Sequence, residues 1–242
     1  MDRQKESWIL KSKTIKVSKV VETYRTPHSF QSEFVTLLDG IAKENNYLNS
    51  IELGCETGIV SMLIQNIEEK VFLDYNKNAL DIAEKACKEL GIKGIYLEKD
   101  MFDTKLKAGS YQLVFNSGVI EHYEYEERLN ALKEYARIMD QNGTMVIAYP
   151  NHYSLPYRFA YVLGNYIFPK RFNWTTPPEK KLYDMGKEIK AANLVLKERK
   201  VIAKDSTFDF LNFNTLLKNM FKALDKVFNF SGYLTVLIIK KR

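Results

Sequence analysis

Cysteine is almost missing from this chain: Cys55 and Cys87 are the only two in 242 residues. Two cysteines exclude a disulfide framework and a zinc site built from cysteine, and they fit a reducing compartment. A cytoplasmic setting is therefore expected. Histidine is also scarce, with His28, His122 and His152 alone. No apolar run reaches the roughly 18 residues that a membrane-spanning helix needs. The polar opening Met1-Asp2-Arg3-Gln4-Lys5-Glu6-Ser7 is not followed by a signal-peptide core. Internal repeats and low-complexity segments are absent as well. What remains is 45% hydrophobic and 27% charged, the composition of an ordinary globular protein. The length suits a single domain spanning 1–242.

The charge is unevenly spread. Residues 151–242 carry 17 basic and 7 acidic side chains, a net +10, whereas residues 1–150 carry 19 and 23, a net −4. A basic excess of this kind suits an anionic substrate, an anionic membrane surface or nucleic acid, or it is a solvated lysine-rich surface.

Short apolar runs alternate with longer amphipathic ones. Strands are expected at Ser50-Ile51-Glu52-Leu53, Lys70 to Asp74, Gly94 to Glu98, Tyr111 to Asn116 and Thr144 to Tyr149. Helices are expected over Ile59 to Ile64, about 77–90 and about 124–139. In the second of these, Ala79, Leu80, Ile82, Ala83, Ala86, Cys87 and Leu90 share one face, and Gly91 stops the helix. Such alternation implies a parallel sheet covered on both faces, with ligands bound at the C-terminal strand ends where the strand order reverses. Beyond Pro150 the pattern changes. An aromatic stretch over 153–172 reads as a helical insertion or lid (about 153–175), and Thr176-Pro177-Pro178-Glu179 as a capped helix start. A strand over 194–203, an amphipathic helix over 208–226 and a final strand from Gly232 to Lys240 complete the chain. A helical N-terminal extension is expected over about 1–45.

The chemistry concentrates just after the strands. The first strand runs into Leu53-Gly54-Cys55-Glu56-Thr57-Gly58, where glycines allow close backbone approach and a helix start offers free N–H groups. Asp74 ends the second strand about twenty residues on, where an acid can accept hydrogen bonds from both ribose hydroxyls. Asp100 follows the third strand, placed to accept from an adenine amino group, and Met101 and Phe102 offer soft or flat contacts to the ring. Either acid alone is as readily a turn residue or helix cap; both together, after consecutive strands, point to a nucleoside site.

With these residues in view, the stretch from about 49 to 149 resembles the core of class I S-adenosylmethionine-dependent methyltransferases. Their acid-x-Gly-x-Gly-x-Gly signature falls on Glu52, Gly54 and Gly58, and their second- and third-strand acids on Asp74 and Asp100. Their segment after strand four falls on Asn116-Ser117-Gly118-Val119-Ile120-Glu121-His122. Asn142-Gly143 stands in place of the usual Gly-Gly. The likeness is greatest to the small-molecule branch, including ubiquinone-biosynthesis-type O-methyltransferases, and it is poor over 1–28, 153–175 and 204–230. It implies a Rossmann-like, doubly wound, mostly parallel seven-stranded α/β sheet with the last strand antiparallel. It also implies S-adenosylmethionine as cofactor and S-adenosylhomocysteine as product. The implied cofactor residues are Glu52, Gly54, Cys55, Glu56, Gly58, Asp74, Tyr75, Asp100, Met101, Phe102, Asn116 and Ser117. One departure stands out: Glu56 occupies the place of the middle glycine, which faces the methionine end of the cofactor in relatives.

Methyl transfer from a sulfonium needs alignment and exclusion of water, and an oxygen nucleophile also needs a base. His122 is the candidate base, its alternative being a packing or capping histidine; His28 and His152 are weaker candidates. Glu121, His122, Glu124 and Glu126 read as the acidic first turn of a helix, so no metal is expected. Tyr24, Tyr153 and Tyr157 are the candidate substrate residues. The segment after strand four lacks the Asn/Asp-Pro-Pro-aromatic tetrad of amino-methylating nucleic-acid enzymes, and no Pro-Cys pair is present. The expected function is therefore methyl transfer to an O or N atom of a small molecule. A nucleic-acid or protein methyltransferase and a non-catalytic cofactor-fold protein are the alternatives. Peripheral membrane contact and a homodimer stay open.

Overall fold

The computed structural model describes residues 3–162, 179–212, 214–230 and 232–242. Three helices precede the sheet: α1 (Arg3–Ser12), α2 (Val17–Arg25) and α3 (Ser29–Asn45). Then strands and helices alternate as β1 (Asn49–Leu53), α4 (Ile59–Leu63), β2 (Glu69–Asp74), α5 (Lys77–Leu90), β3 (Ile95–Glu98) and β4 (Tyr111–Ser117). A 3-10 turn (Ile120–His122), α6 (Tyr125–Ile138), β5 (Met139–Pro150) and α7 (Leu155–Val162) follow. After residue 178 come α8 (Gly186–Ala191), β6 (Leu194–Ile202), a 3-10 segment (Asp205–Leu211), α9 (Thr215–Phe228) and β7 (Leu234–Lys241).

The seven strands form one sheet in the order β3-β2-β1-β4-β5-β7-β6, with β7 antiparallel to both neighbours and the first five strands parallel. This is the doubly wound sheet expected from the alternation. Its central strands are buried on both faces, as parallel strands must be. Ile51, Leu53, Val114 and Ile147 face one side, against Leu132 and Tyr135 of α6. Leu113, Phe115, Val146 and Ala148 face the other, against Phe34 and Leu38 of α3. Phe72 joins a third cluster with Leu80, Ala83 and Ala86 of α5 and Val20 and Val21 of α2.

Local chemistry sets the element ends. The Asn76 side chain caps α5 by accepting from the Ala79 N–H, and Gly91 closes it in the left-handed region, with the Ile92 N–H donating to the Cys87 carbonyl at 2.8 Å. Elsewhere the structure departs from the sequence pattern. The helix expected over 208–226 begins only at Thr215, because the Asn214 side chain accepts from the Leu217 N–H and starts it there, while Asp205–Leu211 is a separate 3-10 segment. The fifth strand starts at Met139 rather than Thr144, its early residue pairing with Tyr111 before a register shift. Residues 179–184 are not helical; Thr176, Pro177 and Pro178, and the aromatic stretch beyond Val162, lie outside the described residues. Strand order reverses between β1 and β4, which brings their C-terminal ends and that of β2 together.

Candidate cofactor and acceptor site

A cleft with a cavity volume of about 240 Å³ opens at this switch point. The loop after β1 forms its floor. Gly54 holds φ at +71°, and a Cβ built on it would lie 3.0 Å from a methyl group of Val119, in the segment after β4. Gly58 holds φ at +70° at the start of α4, where a Cβ would collide with the Phe72 ring. Both glycines are thus required by conformation and by close approach. Glu56 sits between them with φ at +49°, the left-handed conformation that the glycine of the motif supplies at no cost. A side chain there costs roughly 1–2 kcal/mol. The Glu56 carboxylate forms an ion pair with Lys11 of α1 at 3.0 Å.

Two buried acids fix this loop. Asp74 is 6% exposed, and its two oxygens accept from the backbone N–H groups of Glu56 (2.8 Å) and Asn76 (2.9 Å). It thereby ties the loop after β1 to the end of β2, and it lines the cleft. Burial raises its pKa, against the lowering effect of those hydrogen bonds. Glu52 lies beneath, accepting from the Ser61 hydroxyl at 2.6 Å and the Ser61 N–H at 3.2 Å, so it clasps α4 to β1. Burial pushes its carboxyl up to about 7 despite these bonds. Burial also pushes up the Cys55 thiol.

The structure brings most of the expected residues into one place. Glu52, Gly54, Cys55, Glu56, Asp74, Tyr75, Met101 and Ser117 line the cleft, together with His122. The others lie just off it. Gly58 begins α4 behind the loop. Asp100 is exposed, accepting from the Phe102 N–H and pairing with Lys5 at 3.3 Å. Phe102 packs edge-on against Tyr123. Asn116 is fully buried beneath the cleft, donating to the Tyr135 hydroxyl while its own carbonyl oxygen has no hydrogen bond.

The candidate substrate tyrosines are not on the cleft wall. Tyr24 packs with the cluster under α2 and α5. Tyr153 is exposed, stacked at an angle on Tyr183 and capped by Arg199. Tyr157 is buried and donates to Glu179 at 2.5 Å. Near it lies His152, whose pKa falls to about 4 because burial disfavours its charge. Glu121, equally buried, has its carboxyl raised by burial and by the charge of Glu179.

The roof is what motif reading missed. Helix α1 lies across the cleft: Trp8 lines it and meets the His122 ring edge-on at 5.6 Å between centroids. Asn76 donates to the Trp8 carbonyl, Asn78 to the Ser12 hydroxyl, and the Tyr75 hydroxyl to the Lys5 carbonyl. Phe30 and Gln31 of α3 close another side. No residue of α7 or α9 lines the cleft among those described.

The floor therefore offers what a nucleoside sulfonium requires: a glycine cradle a Cβ would fill, a buried acid at the end of β2 and an apolar wall at Met101. Comparison with known proteins agrees. Residues 51–143 match the model of the methyltransferase domain family. No curated protein matches the sequence. Among solved structures, the chain is similar to an S-adenosylmethionine-dependent methyltransferase from Clostridium acetobutylicum (12% identity, 90% of this chain and 94% of that one, TM-score 0.61). It is also similar to a methyltransferase from Aquifex aeolicus that depends on the same cofactor (12% identity, 93% and 98%, TM-score 0.55). A third likeness is to geranyl diphosphate C-methyltransferase from Streptomyces coelicolor (13% identity, 86% and 79%, TM-score 0.56). These likenesses establish the fold. Residues 51–143 thus resemble a methyltransferase domain, and the chain has the fold of S-adenosylmethionine-dependent methyltransferases.

Two substitutions test the floor. Asp74→Ala should weaken S-adenosylmethionine binding by roughly 1–3 kcal/mol, since it strands the polar groups Asp74 serves; unchanged affinity by calorimetry would remove Asp74 from the site. Glu52 is protonated in the folded chain between about pH 4.5 and about pH 7, where the unfolded chain has released that proton. Its burial therefore costs stability increasingly as pH rises through that window. Glu52→Gln should gain stability over the wild type across it, up to the order of 3 kcal/mol in urea unfolding. Parallel pH profiles for the two proteins would contradict the reading.

Proposed function

We propose that the protein transfers a methyl group from S-adenosylmethionine to an oxygen or nitrogen atom of a small molecule, in the cleft between the loop after β1 and the segment after β4. The observation that carries this reading is the placement of His122. It lines the cleft beside Ser117 and Gly118, with Trp8 against its ring. A cleft of this size roofed by a helix suits a compact acceptor rather than a polymer.

The cofactor, when bound, supplies an electrophilic methyl group on sulfur. The loop 54–58 and Asp74 orient it, and Asp100 stands at the rim, where an adenine amino group would seek an acceptor. Trp8, Phe30 and Met101 exclude water from the transfer. An oxygen acceptor must lose its proton as the bond forms, and His122 is the group positioned to take it. An amine acceptor needs only to arrive neutral, so His122 would then matter for position alone. Glu56 lies on the floor with its charge paired to Lys11, which lowers the repulsion it would direct at a carboxylate.

His122→Ala separates the two acceptors. With a hydroxyl acceptor, kcat should fall about 10²–10⁴-fold while cofactor affinity holds. A small change in kcat with an amine acceptor would assign the transfer to nitrogen. Loss of cofactor binding would make His122 a structural residue and overturn its role.

A further inference from the structure

We propose that α9 docks the protein onto an anionic lipid bilayer. Leu216, Met220, Leu224 and Val227 follow one another at spacings of four, four and three, so they form a single row along the helix. They are 82%, 50%, 41% and 75% exposed, and Phe228 beside them is 68% exposed. No residue of this helix is buried. Leu217 and Phe221 are half-buried, and the helix lies chiefly against the 3-10 segment Asp205–Leu211. Helix α7 packs on that same segment and carries exposed Leu155 (58%) and Val162 (44%) one face apart by seven residues. Isolated exposed leucines are ordinary; an exposed row on an otherwise amphipathic helix is not.

Charge decides the occupant. Lys222 and Lys226 occupy the remaining face of α9 with one acid, Asp225, while Lys218 on that face is paired with Asp209 at 3.0 Å, and residues 151–242 together carry +10. An apolar row flanked by lysine is the pattern of a helix lying in the headgroup region of a negatively charged membrane. A second copy of this chain on the same face would bring two strongly basic surfaces together, which repel. A polynucleotide would use the lysines but leave the apolar row uncovered. The docking is peripheral: α9 has 14 residues, and among the described residues no helix is long and apolar enough to cross a membrane.

Flotation of the whole protein with vesicles tests this. It should bind phosphatidylcholine vesicles containing phosphatidylglycerol and bind pure phosphatidylcholine far more weakly. The triple variant L216S/M220S/V227S, altered only at exposed positions, should bind the anionic vesicles at least about tenfold more weakly. Lys226→Glu should cost about fivefold or more. Single Val227→Glu should also weaken binding, and cofactor affinity in every variant should match the wild type. Three results would overturn the proposal: no binding by the wild type, equal binding by the triple variant, or a wild-type dimer that the triple variant turns monomeric while vesicles capture neither.

Discussion

The Asp74 carboxylate holds this site together. It is a buried acid whose two oxygens are taken up by backbone N–H groups on either side of the cleft floor, one from Glu56 and one from Asn76. Without it, the left-handed turn through Gly54 and Glu56 would keep only the Leu73 carbonyl, which accepts from the Gly54 and Cys55 N–H groups, as its anchor on β2, and the N-cap of α5 would lose its neighbour. Glu52 repeats the device one layer down, joining β1 to α4 through Ser61. Two carboxyl groups thus bind three elements by hydrogen bonds from peptide groups and one hydroxyl, and both carry pKa values raised by burial.

The second constraint is the backbone at Glu56. A residue with a side chain occupies a conformation that the fold reserves for glycine, and its carboxylate reaches Lys11 on the helix that roofs the cleft. The same helix meets Asp100 through Lys5. Glu56 in the cleft and Asp100 just off it are therefore both paired with lysines of α1. The departure from the glycine motif and the helix α1 are two halves of one arrangement.

Local features were legible in the sequence. Helix α5 runs from Lys77 to Leu90 as its apolar spacing and its terminal glycine indicate, because both its caps are side-chain or backbone contacts within a few residues. The parallel sheet covered on both faces followed from alternation, and the floor of the cleft from its glycines and acids. What could not be read was long-range. Nothing near Trp8 or Lys11 announces that they cover residues 56, 76 and 122, since those contacts exist only after the sheet has formed. Tyr153 and Tyr157 looked like acceptor contacts by composition, yet the fold turns one to solvent and bonds the other to Glu179. Apolar residues at 208 and 211 continue the rhythm of α9 in the sequence and hide its start, which the Asn214 cap sets.

Every role proposed for the cleft requires its floor to bind the cofactor despite Glu56. Calorimetric titration of the dialysed protein with S-adenosylmethionine addresses that directly. Saturable binding at sub-millimolar cofactor is the expected result; no heat of binding in that range would contradict it.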